Sequence, residues 1–165
     1  MNPATFLPDF YSEEIFMAIQ DEAALILQLY DLRREPTMRV ARDWYAREFN
    51  PQSAADIEKV FFGEHSGHLR MVSSYWDMAA AMVNNGAINL NMFNDTNGEH
   101  FLVFAKLEPF IGEIRAAYGP QFVANLEKLV DATPGGRERT AMVRERFKGI
   151  MAKLAAAGQQ KSANA

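Results

Sequence analysis

The sequence predicts an all-α, single-domain bundle of about seven to eight helices without a sheet. Three observations carry this. Apolar residues recur at three- and four-residue spacing through almost every segment. Nothing alternates at period two for long enough to make a strand, and the one short apolar run, FLVF at 101–104, has helical flanks. The breaks between periodic segments are marked by Pro, Gly, Asn and Ser, which are helix-end and turn residues. With 165 residues the chain is long enough to bury a core without metals or disulfides.

The first helix is expected from about 13 to 34, with Ser12 as cap, Glu13 and Glu14 at the positive end of the dipole, and Pro36 as terminator. Ile15, Ile19, Ile26, Leu29 and Tyr30 share one of its faces. A second, at about 37–48, aligns Met38, Ala41, Trp44 and Tyr45 and stops at Asn50-Pro51. SAAD at 53–56 resembles a capping box and opens a short helix through Ile57, Val60 and Phe61 that Gly63 closes.

The helix at about 66–84 is expected to be central and most buried, because Leu69, Val72, Trp76, Ala79, Ala80 and Val83 follow a strict helical period. Ala79–Ala81 would let another helix approach closely. After it, six asparagines fall between 84 and 97. Asn84 and Asn85 precede Gly86, a helix stop; Asn89 caps a short helix that Asn94 ends; Asn97 with Gly98 opens the next. Asn91 has no such role.

That next helix runs through Phe101, Phe104, Leu107, Ile111 and Ile114 to Gly119, with a break expected near Glu108 because Pro109 removes an amide donor and collides with the preceding turn. Pro120 suits the first turn of a helix at about 120–131. TPGG at 133–136 divides a body, 1–134, from a C-terminal helix at 135–157 carrying Val143, Phe147, Ile150 and Leu154 on one face. Residues 158–165 are expected to be a disordered tail.

Charge is distributed unevenly. Residues 1–136 hold 10 Lys/Arg against 19 Asp/Glu, and residues 137–165 hold 7 against 2, within a net charge of −4. So acidic a body does not suit a nucleic-acid backbone, and no nucleic-acid partner is expected. The basic last helix suits the acidic body, a partner groove or, less well without a Trp anchor, a peripheral membrane contact. Arg144, Phe147, Lys148 and Met151 are its candidate interaction residues. No apolar run reaches the length of a membrane span, and the acid at Asp9 with no basic region before it argues against a leader, so a cytoplasmic location is expected.

Zero cysteines exclude disulfides, thiolate metal sites and cysteine nucleophiles. The only histidines, His65, His68 and His100, lie near acids and are the candidate metal ligands, although neither the Glu-x-x-His pairing of a dinuclear carboxylate bundle nor the His-Glu-x-x-His zinc pattern is present. Asp77 beside Trp76 puts a carboxylate next to core, which demands a partner. With Arg70 these form the candidate ligand-binding set. Ser66, Ser73 and Ser74 lack a nucleophile-elbow pattern, and PGGRERT lacks the lysine-hydroxyl pair of a phosphate loop. No catalytic residue and no cofactor is assigned.

The segments YDLRR at 30–34, YWDMAAAMVNNGAI at 75–88 and FVANLEKLV at 122–130 resemble a group of bacterial helical proteins classed as a domain of unknown function, over about residues 30–131. The resemblance implies a bacterial all-helical module. Members of that group often carry a membrane-spanning N-terminus, which is not expected here, and the group offers no catalytic residues to transfer. The expected function is an interaction or oligomerisation module, with a homodimer joined through the Ala-rich central helix or the basic last one as its expected form. The alternative is a small-ligand or metal site near Trp76, Asp77 and the histidines.

Overall fold

Helix periodicity is realised throughout: among the described residues every regular element is a helix and none is a strand. The computed structural model describes residues 9–163, with side chains described for 19–153 and 156. In order the elements are α1 (Asp9–Arg34), α2 (Pro36–Arg47), α3 (Ala54–Phe61), α4 (Ser66–Asn84), α5 (Leu90–Thr96), α6 (Glu99–Leu107), a 3₁₀ turn at Glu108–Phe110, α7 (Ile111–Tyr118), α8 (Ala124–Ala132) and α9 (Gly136–Ala163).

Local chemistry explains the boundaries. Pro36 opens α2 rather than merely ending α1, because the Glu35 carboxylate accepts from the Met38 amide at 2.9 Å and proline at the first helical position gives up no needed donor. Ser53 Oγ accepts from Asp56 N at 3.2 Å while Asp56 Oδ2 accepts from Gln52 N at 3.0 Å, a reciprocal box that holds the Asp56 carboxyl below its ordinary pKa. Gly86 adopts φ +79° behind α4, as a helix-stop glycine should. The 3₁₀ turn occupies the expected break at Pro109. At the start of α1 the helical backbone already begins at Asp9, and the side chain of Ser12 lies outside the described residues. At the other end, α9 continues through Ala163, helix-favouring Ala, Gln and Lys carrying it into the segment expected to be a tail; residues 164–165 are outside the described ones.

α4 is the spine. Leu69, Val72, Trp76, Ala79 and Ala80 are fully buried, and α4 packs most extensively against α8 and then α2. Ala79 and Ala80 are therefore spent inside the chain's own fold, and Ala81 is half-buried. Around Trp76, Tyr75 and Phe93 meet the indole edge-on, a favourable arrangement for aromatic rings. Tyr75 also donates to the Leu29 carbonyl at 2.7 Å, tying the end of α1 to this spine.

The expected start of a helix at Pro120 does not occur. Residues up to Val123 form a turn, and Val123 sits at φ 47°, an unusual conformation for a β-branched side chain. With Val123 unable to cap, the start of α8 is capped from another helix: Asp77 on α4 accepts from Leu126 N at 2.9 Å and from Asn125 Nδ2 at 3.0 Å. Asn84, one end of the same helix, donates to the Asn125 carbonyl at 2.9 Å. We expect Asp77→Ala to lower stability by about 1–2 kcal/mol, and Asp77→Asn by less, since Asn is also a good cap. Chemical denaturation of the three proteins checks this; equal stabilities would mean that α8 does not depend on the cap.

Candidate functional site

The residues singled out from sequence divide among three places. The first is a shallow groove where Arg70 and Asp77 line the same surface as Phe61 and Phe122. Arg70 is exposed and Asp77 half-buried, whereas Trp76, one residue along, turns into the core with no exposure. The α-helical rotation of 100° per residue separates them, so the structure joins Arg70 to Asp77 but not to Trp76.

The second is the histidine pair. His65 precedes α4 and His68 lies in its first turn, and their Nδ1 atoms are 3.2 Å apart with the rings stacked, His65 also stacking on Trp44 at 4.8 Å. His100 is elsewhere: it begins α6, is fully buried, and packs against Trp76, Phe93 and Phe101. Among the described residues no group of three or more His, Cys, Asp or Glu is placed to hold a metal ion. The three histidines thus do not converge. Neither ring nitrogen of His100 has a hydrogen-bond partner, and burial, reinforced by the Arg139 charge, pushes its pKa down to about 3.

The third place was only half visible in the sequence. Arg144, Phe147 and Lys148 of α9 face α6 across a cleft of about 240 Å³, with Leu102, Lys106, Pro109, Phe110 and the α2–α3 connection completing its wall. Met151 is half-buried further along α9 and does not line it. Arg144 Nε donates to the Ala105 carbonyl at 3.0 Å and its Nη2 pairs with Glu108. Two turns earlier, Arg137 spans Glu108, Glu127 and Asp131 at 2.5–3.0 Å, so basic residues of α9 do meet the acidic body.

Lys106 is the residue that spacing did not single out. It is the one Lys or Arg buried among the described residues. Its Nζ donates to the carbonyls of Tyr45, Ala46 and Phe49 at 2.5, 3.1 and 2.7 Å, filling all three donors at the C-terminal end of α2, where a cation also suits the dipole. The Phe147 ring covers it at 3.8 Å. Burial pushes its pKa down to about 7, and no carboxylate pairs with it. A lysine inside the otherwise apolar FLVFAKL was the available signal.

A family model described as a domain of unknown function, DUF4760, matches residues 18–133. The chain belongs to this family. The matched region runs from α1 through α8, so in this DUF4760 protein the α6 wall of the cleft lies within the family match and the α9 wall beyond it. No curated protein and no solved structure matches the chain. No helix among the described residues is long and apolar enough to cross a membrane.

The His100 environment makes a pH-dependent expectation. Its pKa is about 3 in the fold and 6.5 as the ordinary value, so between these the unfolded chain binds the extra proton. The stabilisation is complete above pH 6.5 and is lost as pH falls toward 3, on the order of 3 kcal/mol between pH 7 and pH 4. Unfolding free energies measured at both pH values for the native chain and His100→Phe should show a smaller acid loss in the variant by about that amount; identical acid losses would remove His100 as a cause.

Proposed function

We propose that this is a bacterial cytoplasmic helical domain that acts through protein contacts rather than catalysis, with α1 as its contact helix and a second copy of the chain as its partner. One observation carries this: α1 is only half used by its own fold. Of its described side chains, Leu29 alone is buried. Glu22, Ile26, Leu29 and Arg33 turn toward the body, Glu22 accepting from Asn89 N at 3.0 Å. Ile19, Ala23, Leu27 and Tyr30, at the four-, four- and three-residue spacing of a packing seam, turn to solvent, with Leu27 65% exposed and Ile19 48%.

A helix of 26 residues is about 39 Å long, and helices in water depend chiefly on packing of an apolar face. A stripe of large apolar side chains along such a helix favours a helical partner. A second α1 supplies the same stripe, and Ala23 among larger residues permits close approach. Native mass spectrometry and light scattering of the full-length chain test this. The expected result is a dimer that Leu27→Glu shifts to the single-chain mass with its helical circular dichroism retained; a native chain that stays monomeric at high micromolar concentration would overturn it.

A further inference from the structure

We propose that the cleft between α6 and α9 binds a small organic anion with an apolar body, a monocarboxylate carrying one ring or a short alkyl chain. Charge makes the first argument. Lys106, Arg144 and Lys148 line the cleft and no Asp or Glu does, in a chain whose net charge is −4. Four other surface clefts each include at least one carboxylate among their lining residues. The α6–α9 cleft is thus set apart in an acidic molecule by a lining whose charged side chains are all cations, Arg144 among them being already paired with Glu108.

The side-chain arrangement makes the second. Lys106 Nζ lies under the Phe147 ring without a carboxylate counter-ion, held by three carbonyls, and burial pushes its pKa down to about 7, so near neutral pH it is only partly protonated. Those carbonyls satisfy its donors and no carboxylate cancels the charge of its protonated form, so a carboxylate entering the cleft favours the ammonium and gains Coulomb energy in a region of reduced dielectric. Among the described residues Lys148 pairs with Glu145 alone, an exposed pair, 63% and 70% accessible, that competes weakly for it. Of the remaining wall, Leu102, Pro109, Phe110 and Phe147 form an apolar side suited to the body of an organic anion, and the amide side chains of Asn50 and Gln52 lie on the α2–α3 side. At about 240 Å³ the space lies below the ~300–1,000 Å³ usual for drug-sized ligands, which limits the apolar body to a ring or short chain. Neither the α1 seam nor the number of chains in the assembly enters this argument.

The test is titration of the isotopically labelled full-length chain with phenylacetate, followed by amide chemical shifts, with inorganic phosphate at matched ionic strength as control. Saturable shifts centred on residues 102–110 and 144–148 are expected. Lys148→Glu and Phe147→Ala should each weaken the phenylacetate Kd about tenfold, the first through charge and the second through lost apolar contact, with helical circular dichroism unchanged. If either variant loses helicity, Lys148→Ala gives the same reading with a smaller loss of affinity. Absence of saturable phenylacetate shifts, shifts centred elsewhere, equal binding of phosphate, or an unchanged Kd in a folded Lys148 variant would each overturn the proposal.

Discussion

The burial of one face-rich helix, α4, is the constraint on which the rest of the structure depends. A helix that is apolar over most of its circumference has to be surrounded, and α2, α8, α6, α5 and α3 are arranged to surround it. Trp76 at its middle is fully buried, and burying so large a side chain contributes on the order of 3 kcal/mol or more. The alanines at 79 and 80 add little area themselves but remove the bulk that would hold neighbouring helices away.

Polar groups then fix how the neighbours sit, since apolar burial alone is non-directional. Asp77 caps α8, Asn84 reaches the same segment, Tyr45 donates to the Val103 carbonyl at 2.9 Å, and Asn94 Nδ2 donates to Thr133 Oγ1 at 3.1 Å. Arg42 pairs with Glu99 and donates to the Arg33 carbonyl at 3.2 Å, joining α2, α6 and the end of α1. Apart from the Asn94–Thr133 bond, these contacts close backbone or carboxylate groups that burial would otherwise leave unmet. The same logic produces the α6–α9 cleft: Lys106 closes the end of α2, and a lining without Asp or Glu gives the cleft its character.

Features controlled by neighbours in sequence were legible, and those controlled by distant partners were not. Asn89 accepting from Asn91 N and Met92 N, the break at Pro109 and the Gly86 stop all depend on contacts within a turn or two. Asparagine roles differ from the local expectation where tertiary partners intervene: Asn94 bonds across to Thr133 instead of ending α5, and Asn97 takes the end of that helix. Pro120 carries a local helix signal, but Val123 in a left-handed conformation and Arg115 donating to the Phe122 carbonyl at 3.0 Å hold the turn open. Asp77 advertised a need for a partner without naming Leu126. Lys106 looked like one more helical position, because its carbonyl partners lie on α2 and just beyond it, about sixty residues upstream.

A self-sufficient core around α4 is thus distinct from α1, whose outer residues Ile19, Leu27 and Tyr30 are exposed. Hydrogen exchange of the full-length chain at a dilute and a concentrated condition tests that separation most directly. α4 amides should be the slowest at both, while amides of 19–34 should exchange quickly when dilute and slow markedly when concentrated. If α1 were as protected as α4 at both concentrations, or if α4 exchanged as fast as α1, the division between core and contact helix would be contradicted.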